Sequence, residues 1–516
     1  MLLDGDELAL LDVREELTFS QNHLLHARSI PLSRLEIKMA SLVPRRSTRI
    51  VLCDANDGLA ERAAVILSSQ GYLDVSILQG GAPGWAEAGF ELFSGVNVPS
   101  KAFGEYVEQH CGTPSIDAAD LNLLLEQKAD VVVVDSRPFD EFARVSIPTA
   151  TNIPGAELVL RIKDIAPSPD TLIVVNCAGR TRSIIGAQSL INAGLPNRVV
   201  ALRNGTMGWA LSGLKCDSGA DRSSSRPSSD CVEWARKAAA YVAQRYGVRK
   251  IDLAILERMQ AEAGERTLYL FDVRSPEEYE RGHIHAAVSA PGGQLVQATD
   301  QYVGTFGARI VLIDDAEVRA VMTASWLIQM GWKEVFVLVA AGTETSYPPV
   351  RVLGKHEWPD AQIGPAELQS LLAKGVATVV DLSVSRTYRA SHIPGAWFAI
   401  RSRLRTSLPK VTCMGQKLVL TSEDGITAGL AVPEARSSTN LHVLYLVGGN
   451  AAWKSASYAL EAGEGKFADE PVDVWLKPYE RRTEISSAMS EYLLWEIDMF
   501  NRVERDGSCN FNTMNA

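Results

Sequence analysis

The chain has 516 residues, 46% hydrophobic and 22% charged, and 51 Lys+Arg against 62 Asp+Glu give it a net charge of −11. At ~100–200 residues per domain this is a multidomain chain, and ordinary globular composition excludes a disordered, collagenous or disulfide-scaffold protein. The acidic balance, with a pI near 5.4 and mean hydropathy of −0.01, argues against nucleic acid or an anionic membrane as a general partner, and no apolar run reaches the roughly 18 residues that a membrane span needs.

Seven cysteines without a CxxC pair read as free thiols in a reducing cytoplasm. The opening MLLDGDELAL lacks a basic leader and carries acids where a signal peptide needs apolar residues.

In chain order, one pattern recurs four times. A short apolar strand ends in Asp12, Asp135, Asp272 and Asp381. A second strand follows and reaches Asp54, Cys177, Asp314 and Ser422, at spacings of 42, 42, 42 and 41 residues. Each is followed by a helix-like segment: LAERAAVILSSQG, TRSIIGAQSLINAG, VRAVMTASWLIQMG and ITAGLAVPEA. A strand and Gly-rich turn then lead to Trp85, Trp209 and Trp453; the third repeat instead reads FVLVAAGTETSYPP.

Continuous apolar strands alternating with helices predict an α/β chain of four tandem repeats, each a mostly parallel sheet flanked by helices. The predicted boundaries are 1–98, 99–216, 231–350 and 356–466, with a Ser-rich linker at 217–230 and a helical extension at 467–516. KAFGEYVEQHCG and WARKAAAYVAQRYG read as matching leading helices of repeats two and three. Repeat one begins abruptly, as though part of its first element were missing. The extension segment SSAMSEYLLWEIDMFNRVE has a bulky apolar face. It is expected to pack on repeat four, with an oligomer contact as the alternative.

Chemistry in an open parallel sheet sits beyond the carboxyl ends of its strands. Of the four equivalent positions there, Cys177 alone is a strong nucleophile, in the run Cys177-Ala178-Gly179-Arg180-Thr181-Arg182-Ser183. Unpaired N–H groups at a helix start form a cradle that favours thiolate over thiol, Gly179 lets the backbone curl, and Arg180 and Arg182 add positive charge.

The strand-Asp-x-Arg segment, the CAGRTRS loop and the GTMGW turn together resemble the rhodanese superfamily of sulfurtransferases, and its four-repeat bacterial members in particular. The resemblance implies a sulfurtransferase with Cys177 as catalytic residue. The Cys177 persulfide would be cradled by the N–H groups of Ala178, Gly179, Arg180, Thr181, Arg182 and Ser183. The donor would be thiosulfate or a similar compound, and the acceptor cyanide, a thiol or a protein. No cofactor is implied. Cys177 to Arg182 is C-x4-R, the shorter loop that resembles sulfurtransferases rather than the C-x5-R phosphatases and arsenate reductases. Asp135, Arg137 and Trp209 match supporting positions of the family, Asp135 as a backbone brace. Arg144, where the family has a Gly-His-Ile-Pro-Gly turn, reads as a solvated surface residue.

Asp54, Asp314 and Ser422 cannot carry a persulfide, so those repeats are expected to act as scaffold, interface or cover for the site. Three inactive repeats also support a second reading, a persulfide carrier that binds partner proteins with little small-molecule turnover. A C-x4-R phosphatase or arsenate reductase is the third, and a homodimer is a further candidate assembly. Cys53 is expected in the core. His283, His285 and His392 belong to a turn of the fold rather than to a metal site. Cys111, Cys216, Cys231, Cys413 and Cys509 read as incidental thiols, with a sulfur relay at Cys231 or Cys509 as the alternative.

Overall fold

A computed structural model describes residues 1–2, 4–340, 342–345 and 351–513. The strands Leu8–Asp12, Val131–Asp135, Leu268–Asp272 and Ala377–Asp381 stand near the centres of four separate sheets. In each, the strand pairs in parallel with the next strand of its repeat, Arg49–Cys53, Leu172–Asn176, Arg309–Asp314 or Lys417–Thr421. Runs such as VVVVD and LIVVN are apolar on both faces, and helices cover both faces of such sheets; the parallel arrangement follows.

The second and third sheets have five strands and the fourth has six. Among the described residues the first has four, without a counterpart of the edge strands Ser115–Ile116, Arg249–Ile251 and Gln362–Ile363. The altered turn of repeat three includes residues 341 and 346–349, which, like its boundary at 350, lie outside the described residues.

The repeats join in two pairs. Repeats two and three share one continuous core around the helices Thr181–Asn192, Ser229–Tyr246 and Val318–Gln329, where the Trp326 indole N–H donates to Ser189 Oγ at 2.9 Å. Repeats one and four meet through Arg401, whose guanidinium binds Glu36 at 2.7 Å, and through Ser402, which donates to Glu15 at 2.8 Å. Repeat one also touches repeat three, with Leu8 bridged to Phe306.

One expectation needs correction, the seat of the C-terminal helix. The linker 217–230 is itself held against repeat two. Its main chain pairs Asp217 with Ser146, and Asn152 N–H donates to Arg222 O at 2.9 Å, so it runs along the edge of repeat two. The C-terminal helix, Ile485–Asp506, does not pack on repeat four. It lies on the leading helix of repeat two, Val98–Cys111, where Lys101 pairs with Glu496 at 2.7 Å. Leu493, Glu496, Met499, Phe500 and Val503 form its buried stripe, which repeat two and the adjoining segment of repeat one cover.

Candidate active site

Leu172–Asn176 lies between the strands Val199–Leu202 and Val131–Asp135, so its carboxyl end opens at the middle of the sheet. Cys177 leaves that end, and the helix Thr181–Asn192 begins four residues later. The thiol is buried, 2% exposed, and its Sγ lies 3.5 Å from Ser183 Oγ, which itself donates to Arg180 O at 2.7 Å.

The turn leading to Trp209 clamps the loop. Thr206 N–H and Met207 N–H donate to Cys177 O and Ala178 O at 2.8 and 3.0 Å. At Gly205 φ is +56°, and a Cβ there would lie 2.4 Å from Cys177 O and 2.7 Å from Gly179 O. A side chain would push the clamp off the loop. Trp209 itself points away into the core, its indole N–H donating to Lys215 O at 3.0 Å.

Asp135 and Arg137 are locked together beneath the loop at 2.7–2.8 Å. Asn176 Nδ2 donates to Asp135 Oδ2 at 2.7 Å and to Thr206 Oγ1 at 3.1 Å, joining two strand ends and the clamp. Arg144 is at the surface, 58% exposed, paired with Glu480 of the extension.

A cavity of about 150 Å³ opens above Ala178–Arg182. Repeat two lines it with Lys101, Glu141 and Met207, repeat three with Gln294, Gln297 and Gln301, and the extension with Trp475, Lys477, Tyr479 and Tyr492. Repeat one adds Val96 and Asn97 at its end, so the neighbouring wall combines repeats one and three with the extension, a choice that spacing along the chain leaves open.

The two loop arginines are not free charges. Arg180 binds Glu105 twice at 2.7 Å and also pairs with Glu108, and Arg182 binds Glu141 at 2.9 Å. Burial pushes Glu105 up to about 7 despite Arg180. Burial also works against ionised Glu141, but Arg182 and Lys477 together hold it well below the usual carboxylate range. Lys477 sits 2.8 Å from Glu141, and burial lowers its ammonium. Lys101 binds Glu496, which also accepts from Tyr492 OH at 3.2 Å and from Thr181 Oγ1 at 3.4 Å. Glu105, Glu141, Lys477 and Glu496 are missed by sequence reading because no spacing ties them to Cys177.

The equivalent loops of the other repeats are occupied by their own side chains. Asp54 accepts the N–H groups of Asn56 and Ala60 at 2.8 and 3.0 Å. Asp314 accepts Arg319 N–H at 2.7 Å and pairs with its guanidinium, which also reaches Glu157 of repeat two at 2.9 Å. Ser422 Oγ accepts Ala428 N–H at 3.3 Å.

Cys53 is buried in the core, and the thiol of buried Cys231 faces Leu160 O at 3.3 Å. Cys509 lies in a separate cavity between repeats one and three, so neither Cys231 nor Cys509 joins the Cys177 loop. His283 and His392 stack on Tyr279 and Tyr388 at centroid distances of 3.8 and 4.0 Å, as His23 does on Phe19. His285 is exposed. Among the described residues no helix is long and apolar enough to cross a membrane.

The Rhodanese-like domain family model matches four segments, 1–88, 117–212, 252–342 and 364–456. The chain is 33% identical over 99 residues to a sulfurtransferase of Allochromatium vinosum, covering 19% of this chain and 90% of that one. It is 34% identical over 110 residues to the HTH-type transcriptional regulator Rv0324 of Mycobacterium tuberculosis, covering 21% of this chain but only 48% of the regulator. Among solved structures, the thiosulfate sulfurtransferase of Pseudomonas aeruginosa superposes with a TM-score of 0.96 at 45% identity, over 99% of this chain and 97% of the other.

Proposed function

Because the chain belongs to the rhodanese-like family and is a rhodanese-type sulfurtransferase built of four such domains, we propose that it moves a sulfane sulfur from thiosulfate, or a similar donor, through a persulfide on Cys177. The supporting observation is the placement of a single loop cysteine at the carboxyl end of a central strand, facing a small cavity lined by four cationic side chains.

The Cys177 thiolate attacks the outer sulfur of thiosulfate. A new S–S bond forms to Sγ, the old S–S bond breaks, and sulfite leaves with its electron pair. Developing charge on the departing oxyanion meets Arg182 and the loop N–H groups at the start of Thr181–Asn192. Cyanide or a thiol then attacks the outer persulfide sulfur. The product carries that sulfur away, and the Cys177 thiolate is the leaving group. Ala178, Gly179, Arg180, Thr181 and Ser183 shape the cradle, Arg180 through its Glu105 pair and Ser183 through its hydroxyl beside Sγ. Asp135, Arg137 and Trp209 act at a distance, by fixing the strand ends and the clamp. Seven free cysteines fit a reducing cytoplasm.

The decisive experiment is thiocyanate formation from thiosulfate and cyanide, with intact-protein mass after donor alone, for wild type and Cys177→Ser. One added sulfur and turnover on wild type, and neither on the variant, is the expected result. Loading without turnover would favour the carrier reading. No loading would remove Cys177 persulfide chemistry altogether.

A further inference from the structure

We propose that Lys477 and Tyr479, on the extension beyond repeat four, recognise the charged end of the sulfur donor and select a small S-sulfonate dianion over larger or less charged persulfide donors. The proposal rests on the sulfurtransferase reading of Cys177, and it assigns specificity to a segment outside all four repeats.

Charge is the first ground. Four cations face the cavity, Lys101, Arg180, Arg182 and Lys477, with Glu141 the one carboxylate among its lining residues. Glu105 and Glu108 engage Arg180 from behind, and Glu496 engages Lys101. Arg182 and Lys477, by contrast, share Glu141 between them. Two cations on one carboxylate leave a local excess of positive charge facing the cavity, where an anion gains more than it would in water.

An unused hydrogen-bond donor is the second ground. The Tyr479 hydroxyl is buried at this cluster and has no hydrogen-bond partner among the described residues. Leaving such a donor unpaired is costly. A ligand oxyanion between Lys477, Arg182 and Tyr479 would satisfy it, as sulfonate oxygens do and a thioether or alkyl chain does not.

Size is the third. A cavity of about 150 Å³ matches one known to hold a benzene-sized molecule, of about six heavy atoms. It falls well below the ~300–1,000 Å³ of pockets that take drug-sized ligands. Thiosulfate fits such a space whole, while a peptide persulfide fits only with the extension displaced.

The test uses the full chain carrying Cys177→Ser, which can bind thiosulfate without accepting its sulfur, and reads binding by titration calorimetry. Adding Lys477→Ala should weaken thiosulfate binding by about tenfold, the loss of one charge-assisted contact. Tyr479→Phe should weaken it less, and Lys477→Arg should restore most of it. On the Cys177 background, Lys477→Ala should raise KM for thiosulfate with little change in kcat, and should leave KM for glutathione persulfide unchanged. Equal thiosulfate affinity with and without Lys477 overturns the proposal, as does an equal loss for both donors, which would mean general damage to the cavity. If Tyr479→Phe and Lys477→Ala both fold yet leave affinity intact, it is likewise overturned. Failure of the sulfurtransferase reading has a separate signature: wild type that neither loads nor turns over, while the Lys477-dependent binding persists.

Discussion

The buried carboxylate of Glu496, near the end of the chain, lies against the backbone of Gly179 in the cysteine loop. A Cβ built on Gly179 would sit 2.8 Å from Glu496 Oε2 and 2.9 Å from Met207 Cε. The C-terminal helix is thus the outer support of the loop that carries Cys177, and the gap between them is sized for a hydrogen.

Gly179→Ala forces the Glu496 carboxylate and the Met207 methyl aside, or else the loop itself moves. Overpacking of this kind costs roughly 1–3 kcal/mol. Urea unfolding should show a lower midpoint with an unchanged slope, and sulfur loading of Cys177 should slow. An unchanged midpoint with normal loading would mean that the helix gives way without consequence.

Lys101 is the cation that balances Glu496. Lys101→Ala strands a fully buried carboxylate, and breaking a buried pair on one side costs about 3–5 kcal/mol. The double variant Lys101→Met with Glu496→Leu removes both charges and should recover most of that loss. Equilibrium unfolding of Lys101→Ala and of the double variant checks it; a double variant as unstable as Lys101→Ala would contradict it.

Glu105 predicts a pH dependence. Burial raises it from 4.5 to about 7, so the folded state binds its proton more tightly than the unfolded chain does. Its contribution to stability is fully present below about pH 4.5 and is lost as pH rises through about 7. Glu105→Gln, which cannot ionise, should remove this component. The gap in melting temperature between wild type and variant should therefore change across that window and stay flat above it. A constant gap from pH 4 to 8 would contradict it.

Two arginine–carboxylate pairs should differ sharply in what their loss costs. Asp135→Ala leaves the guanidinium of Arg137 buried without its carboxylate, and also frees Asn176 beneath the loop. A loss of about 3–5 kcal/mol is expected, with activity falling in step. Arg144→Ala breaks an exposed pair with Glu480, worth roughly 0–1 kcal/mol. Thermal melts of both variants, side by side, test whether burial or mere proximity sets the cost.

Much of the plan is legible in the chain order of residues. The four repeats, the strand that ends at each Asp, the helix after each loop and the singular cysteine all follow from short-range patterns. Apolar runs of four or five residues mark buried strands, and a spacing of 42 residues repeats because each unit solves the same packing problem. The C-x4-R interval from Cys177 to Arg182 is likewise local and is read directly from the chain.

The surroundings of that sulfur have a different origin. Arg180 and Arg182 read along the chain as bare positive charge, yet each is tied to a carboxylate, Glu105 from the helix Val98–Cys111 and Glu141 from the helix Phe139–Arg144. The amphipathic stripe of the C-terminal helix declares that something covers it but not what. Any apolar groove of matching shape satisfies a stripe of Leu, Met and Phe, and repeat four was merely its nearest neighbour in sequence. Its place on repeat two, with Glu496 on Gly179, and the place of Lys477, ahead of the helix and over the cavity, arise from contacts between residues more than 300 positions apart. Periodicity carries no record of such contacts, because the free energy that selects them comes from burial and charge pairing across whole repeats once those repeats have formed.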